Sequence, residues 1–314
     1  MYFLHFFSSL TKKNNIPILI YFLLNVALIT GVVFAFQYYY YGVENPNVWA
    51  CLGIALIAYV VSLLIALSPI GEWILRLQNG CTKITRIEQN AILKPLFDEV
   101  YSKAKEMHPE LSNKITLYIK ERSIKKGEVE FEANAYALGR KTVCITEDLL
   151  YMPAEQIKAV LGHELGHLAH RDTDMILLVT VGNLLWTGIM STAMLICMIL
   201  DPVLRMFRVG IFAIASTVGL ILTGLVSSLI VLFNKFWSQI GIWMVMKASR
   251  SAEYLADEFS FKLGYGIPLC AFLDNNAGGH GAEGLFATLA KSHPSTNERI
   301  GKLQKLGCKY MKSY

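Results

Sequence analysis

The sequence predicts an α-helical membrane protein with a smaller mixed α+β domain outside the bilayer, and three observations predict it. The 314 residues are 54% hydrophobic and only 17% charged, with a mean hydropathy of +0.42, too apolar for an ordinary soluble globule. Four uncharged apolar runs reach the ~20 residues that a helix needs to cross a hydrocarbon core. The two polar stretches that flank the last pair of runs carry helical and strand-like patterns, and one of them holds a metal-binding motif.

The four transmembrane helices are expected at Ile16 to Phe36, Val48 to Leu67, Met175 to Leu200 and Val209 to Phe233. A soluble domain of this size has no core that would enclose four such runs. The first run exceeds a typical signal-peptide core and leads into Gln37-Tyr38-Tyr39-Tyr40-Tyr41 without a small-x-small exit, so it reads as a retained anchor. That tyrosine cluster suits an interfacial aromatic belt, with Trp49 opening the next helix at the same surface. The third run contains Gly182, Asn183 and Thr187, polar enough to line a helix interface or cavity.

Lys12 and Lys13 precede the first run, the loop from Gly42 to Asn47 has no basic residue, and the segment after the second run is rich in Lys and Arg. The positive-inside rule then puts the N-terminus and the large polar segments in the cytosol, with Arg205 and Arg208 in the third loop pointing the other way. This asymmetry also accounts for the net charge of +5. With no arginine-rich tract or aromatic ladder, no nucleic-acid partner is expected. The six cysteines are dispersed with no CxxC pair and read as free thiols.

Between Leu67 and Met175, helical spacing runs through Ile87, Ile92, Leu93, Leu96, Phe97, Val100, Tyr101 and Ala104 to about Met107, before Pro109. Ile115 to Ile119 and Val143 to Thr146 read as strands, with Asn134-Ala135-Tyr136-Ala137 extended between them. After about Lys235 come a helix through Glu253, a loose stretch Asn275 to Gly281 that is either a flap or a solvated connection, and a terminal helix after Pro294.

The chemistry is concentrated in His163-Glu164-Leu165-Gly166-His167. On a helix, positions i and i+4 share a face, so His163 and His167 can aim at a single zinc ion while Glu164 stands beside them. Zinc lowers the pKa of a bound water toward ~7, and the carboxylate can take its proton during attack on a peptide carbonyl. Pro153 suits a first helical position, Glu155 favours the positive end of the dipole, and Ile157, Val160, Leu161, Leu165 and Leu168 supply the apolar face.

A zinc peptidase site needs a third protein ligand and an open position for water. Glu253 is the best candidate. It shares a helical face with Asp257, which can accept the distal N–H of a ligating imidazole and fix its tautomer; an acidic pair on a solvated face is the other reading of that spacing. His170 is expected outside the ligand set, and Asp172 and Asp174 mark the end of the motif helix. His5, His108 and His280 have no companion at ligand spacing.

Four hydrophobic segments, His163-Glu164-x-x-His167, the preceding Asn134-Ala-Tyr-Ala element and the later Glu253-x-x-x-Asp257 together resemble the HtpX-type membrane metallopeptidases, relatives of the CAAX prenyl proteases, over most of the chain. The resemblance implies a zincin-like α+β peptidase domain with one Zn2+ per chain. It implies His163, His167 and Glu253 as ligands and Glu164 as base. It also implies that Asn134, Ala135, Tyr136 and Ala137 form an edge strand able to pair with substrate, Tyr136 replacing a phenylalanine. His293-Pro294 and Arg299 resemble the family's His-Pro-x-x-x-x-Arg pattern, with Ser-Thr-Asn-Glu between them. His293 itself reads either as a group that stabilises the oxyanion or orients another site residue, or as an ordinary cap or surface histidine. The organisation expected is a transmembrane hairpin over 1–69, the first half of the peptidase domain over 70–174, a second hairpin over 175–234 and the second half of the domain over 235–314. Protein or peptide substrates are implied, in the first place damaged or misassembled membrane proteins. A prenylated C-terminal peptide is the enzymatic alternative, and a scaffold with structural zinc the non-enzymatic one, which would have no need of Glu164.

Overall fold

A computed structural model of the chain describes residues 16–40, 42, 44–122, 124–125, 128–129, 131–174, 184–206, 213–276 and 294–311. Helices α1 (Ile16–Tyr40) and α2 (Val48–Ala66) form the first hairpin. The Asn47 side chain caps α2 by accepting from the backbone N–H groups of Trp49 and Ala50. Ile18, Tyr21, Val26 and Ile29 of α1 pack against Ala55, Tyr59, Leu63 and Ala66 of α2, while Leu23, Ile57 and Val61 remain exposed on the outer surface. Apolar side chains facing outward are what a lipid-embedded helix requires.

Among the described residues, three helices are long and apolar enough to cross a membrane, over Ile16–Tyr39, Val48–Ala66 and Ile214–Gly241, which marks the chain as a membrane protein. They correspond to the first, second and fourth predicted runs. The third is represented by α6 (Leu184–Met206), which extends past the expected end to include Asp201, Pro202 and Arg205; residues 175–183, with Gly182 and Asn183, lie outside the described residues.

Beyond the first hairpin, α3 (Pro69–Gln78) leads to β1 (Cys81–Lys83), then α4 (Ile87–Met107), β2 (Thr116–Lys120), the short ladder β3 (Ile124–Lys125) and β4 (Glu128–Val129), then β5 (Ala135–Leu138) and β6 (Thr142–Thr146). The main sheet has the order β1-β2-β6-β5, with β2 and β6 parallel and the other pairs antiparallel, so β5 is an edge strand. One sheet face receives α4 and α5 (Ala154–His170). Leu93, Phe97, Val100, Ile157, Val160 and Leu161 close on Ala135, Ala137, Val143 and Ile145 in one core.

Helix α7 (Ala213–Ser260) is a single element of 48 residues, roughly 72 Å at 1.5 Å per residue. A hydrocarbon core takes up only ~30 Å of that length, so α7 continues from its membrane span into the polar domain. Phe236 to Met246 continue this helix without a break, and residue 235, where the second half of the peptidase domain is expected to begin, lies inside it. Trp237, Ile240 and Met244 pack against the first hairpin, and Trp237 Nε1 donates to Asn25 Oδ1 at 3.0 Å. Past a turn at Gly264 (φ +96°) the chain forms α8 (Gly266–Asn275) and finally α9 (Thr296–Lys305), capped by Ser295 Oγ accepting from Glu298 N. The loose stretch from Ala277 onward, His280 and His293 lie outside the described residues.

Candidate metal centre

The centre forms where α5 crosses the projecting end of α7, and two glycines permit the crossing. A Cβ on Gly166 would meet Ala256 Cα and Phe259 Cβ at 3.0 Å, and one on Gly162 would meet Ser260 Oγ at 3.1 Å. Without them the helix backbones come close enough for Ser260 Oγ to donate to the Ala159 carbonyl at 2.8 Å. Pro153 stands just before α5 in an extended conformation (ψ 140°) and not at the first helical position.

This crossing brings His163 and His167 of α5 together with Glu253 of α7. One ligand atom from each lies within 4.8 Å of the others. The two Nε2 atoms are 3.2 Å apart, His167 Nε2 is 3.4 Å from Glu253 Oε1, and His163 Nε2 is 3.6 Å from Glu253 Oε2. Tetrahedral bonds of ~2.0–2.1 Å separate ligand atoms by roughly 3.3–3.4 Å, so this donor set fits one small divalent cation.

The far ring nitrogens face carboxylates. Asp257 Oδ1 is 2.9 Å from His163 Nδ1, and Asp172 Oδ2 is 3.3 Å from His167 Nδ1. Asp172 gets there through the helix end: Arg171 adopts a left-handed conformation (φ 63°), and Asp172 N donates back to His167 O at 3.1 Å, the six-to-one bond of a Schellman cap. Arg299 on α9 closes the far side, donating from Nε to Asp257 Oδ2 at 2.8 Å and from Nη2 to Asp257 Oδ1 at 2.6 Å, with Nη1 3.5 Å from Glu253 Oε2.

Glu164 is buried beside this group and directed elsewhere. Its Oε2 accepts from Ala137 N on the outer edge of β5 at 2.6 Å. Burial raises its carboxyl pKa, against the pull of His163 and His167. Burial also opposes protonation of His167, yet Asp172 and Glu253 hold its pKa well above the usual imidazole value. The pocket therefore draws positive charge. With the imidazoles neutral and the carboxylates ionised, the state in which they ligate a cation, Glu164, Glu253 and Asp257 against Arg299 leave two negative charges among these buried side chains, which suits a divalent ion. Although burial favours its neutral form, Arg299 and His163 hold Asp257 down at about 2.

The profile of peptidase family M48 matches residues 125–307. The chain belongs to peptidase family M48. Among its relatives, Protease HtpX of Pseudomonas putida (strain W619) is 30% identical over 222 residues, which cover 60% of this chain and 68% of the relative. A Protease HtpX homolog of Methanopyrus kandleri is 36% identical over 177 residues, covering 54% of this chain and 48% of that protein. The crystal structure of S. mikatae Ste24p aligns at 20% identity and a TM-score of 0.43, covering 93% of this chain and 66% of that one. M48 members are metallopeptidases, so the chain is a membrane protease of a metallopeptidase family.

Other predicted positions in this M48 peptidase are placed as follows. Asn134 N donates to Thr146 Oγ1, and its own Oδ1 accepts from Ala135 N, both at 2.8 Å. Ala135 and Ala137 turn into the core, whereas Tyr136 stands on the other sheet face with Lys120 Nζ 5.8 Å from its ring centroid. His170 packs on Phe259 and His108, and burial lowers its pKa. Three contacts escaped sequence reasoning: Arg299 on Asp257, Asp172 under His167, and Ala137 N–H on Glu164. Only Arg299 had a signal, its place in the His-Pro-x-x-x-x-Arg pattern.

Proposed function

We propose that the chain is a zinc endopeptidase in which His163, His167 and Glu253 hold one zinc ion and Glu164 is the general base. The observation that carries this reading is the convergence of three ligand atoms within 4.8 Å beside a buried carboxylate directed elsewhere. Zinc, when bound, supplies Lewis acidity that lowers the pKa of a water toward ~7 and polarises the scissile carbonyl. Glu164 takes a proton from the attacking water as its oxygen bonds to the carbonyl carbon, and returns it to the amide nitrogen as the C–N bond breaks. Asp257 and Asp172 accept the Nδ1–H groups of His163 and His167, which leaves both Nε2 lone pairs directed at the ion. Asn134, Ala135, Tyr136 and Ala137 present the outer edge of β5 to an extended substrate, which adds as a further strand. His293 stabilises the developing oxyanion.

The substrates we infer are polypeptides at the membrane, damaged or misassembled membrane proteins above all, because Glu253 stands on a helix continuous with a membrane span. In this reading α6 completes a fourth crossing, residues 70–174 and 235–314 form the two halves of one zincin-like domain, and the Lys and Arg asymmetry puts it in the cytosol. A carboxylate buried beside the ligand group and outside the ligand set, as Glu164 is, favours an enzyme over a structural zinc scaffold, which has no use for it.

The test is cleavage of an unfolded protein by the detergent-purified chain, with metal analysis alongside. Chelation should abolish cleavage and one equivalent of zinc should restore it. Glu253→Ala should lose zinc, because one water does not make good a missing protein ligand. Cleavage that persists after complete metal removal would overturn the reading.

A further inference from the structure

Helix α3 carries an apolar stripe that nothing in the described residues covers. Ile70, Trp73 and Leu77 are 56%, 53% and 59% exposed, and their i, i+3, i+7 spacing places them on one face. Gly71, Glu72 and Leu75 form the opposite, buried face. The occupant follows from where α3 sits. It starts three residues after α2 ends at Ala66, and α2 is long and apolar enough to span a membrane. Four residues of chain reach at most ~14 Å, so Ile70 stays within that distance of the end of the span. The helix is also pressed onto that end, since a Cβ on Gly71 would lie 2.0 Å from the Ala66 carbonyl oxygen. An amphipathic helix held there has its apolar stripe at the level of the headgroup and acyl boundary, where tryptophan is favoured.

The buried face of α3 grips the hairpin beside the metal centre. Glu72 Oε1 accepts from Thr142 Oγ1 at 2.5 Å and from Lys141 N at 3.2 Å, and Arg76 Nη1 donates to Thr142 Oγ1 at 3.0 Å. Gly139 turns the hairpin at φ +60°, where a Cβ would come 2.8 Å from Glu72 Cγ. The hairpin's edge strand is β5, whose Ala137 N–H bonds Glu164.

We propose that α3 lies in the bilayer interface, with Ile70, Trp73 and Leu77 in contact with lipid, and that it anchors the β5–β6 hairpin to the membrane surface. The contact does not depend on the hydrolytic mechanism, so it can be tested without activity. The photoreactive residue p-benzoylphenylalanine is introduced in turn at Trp73, Leu77, Val60 and Lys94, and the full chain is placed in phosphatidylethanolamine and phosphatidylglycerol vesicles. Val60 is an exposed position on α2 and Lys94 an exposed one on α4. After irradiation, intact mass should show a gained phospholipid at Trp73 and Leu77, as at Val60, and none at Lys94. A crosslink from Trp73 and Leu77 to a second polypeptide would overturn the proposal. So would the absence of lipid adducts at both positions while Val60 gives one.

Discussion

Arg299 and Asp257 face each other through two charge-assisted hydrogen bonds of 2.8 and 2.6 Å, and both side chains are buried. The pair joins α9 to α7 directly behind the ligand group, because Asp257 Oδ1 is also 2.9 Å from His163 Nδ1. Removing the guanidinium leaves a buried carboxylate uncompensated. Arg299→Met should therefore destabilise the protein by ~3–5 kcal/mol, and Arg299→Lys by less, since it keeps the charge and loses the fork. Denaturant unfolding of the two variants in detergent checks this, and a loss within ~0.5 kcal/mol for Arg299→Met would show that the pair is not holding the domain together.

Two glycines, one at the helix crossing and one away from it, carry opposite predictions. Gly166→Val drives a branched side chain into Ala256 and Phe259, and overpacking of this kind costs ~1–3 kcal/mol. It should also weaken metal binding by separating α5 from Glu253. Gly301 lies inside α9 with nothing within 4 Å of a new Cβ, so Gly301→Ala should stabilise the chain by up to ~1 kcal/mol. Melting temperatures with and without metal distinguish the two effects.

A third prediction concerns acid stability. Hydrogen bonds from Lys158, then Lys103 and Tyr265, hold the Glu99 carboxyl down at about 2. These contacts tie α4 to α5 and to the turn before α8, with Glu99 Oε2 2.7 Å from Lys158 Nζ and Tyr265 donating to Oε1 at 2.9 Å. A depressed folded pKa contributes stability that is complete above the ordinary carboxylate value and lost as pH falls through about 2. Glu99 is 41% exposed, so solvent screening limits the contribution to ~0.2–1 kcal/mol. Glu99→Gln should cost that much near neutral pH, and the gap should close as the pH approaches 2. Unfolding curves across that range check this, and a gap that stayed constant would show that the Glu99 charge does not contribute.

Much of the fold is legible from period and length. The apolar runs that became α1 and α2, the helical face of α4 and the strands around Ile119 and Ile145 all follow from spacing. Spacing alone leaves Glu253 either a ligand or half of an acidic pair on a solvated face, and the family resemblance decides for the ligand. What escaped depends on contacts that local pattern does not encode. Asp172 reaches His167 only because Arg171, a residue with a Cβ, adopts a left-handed conformation usually left to glycine. Arg299 meets Asp257 across a long separation in sequence. Gly166 reads as a weak point in a helix until the crossing with α7 shows what its missing side chain admits. The anchoring face of α3 is short, and its neighbour Ala66 gives it meaning only in three dimensions.

In the proposed mechanism Glu164 is the base and not a ligand. Glu164→Gln keeps the side chain's size and its place beside Ala137 N–H while losing the group that receives the water's proton. The decisive measurement is zinc stoichiometry beside the cleavage rate on one unfolded substrate. Glu164→Gln should retain its full zinc while its rate falls by ~10⁴ or more; a variant that retains zinc and cleaves at the parent rate would rule out Glu164 as the base.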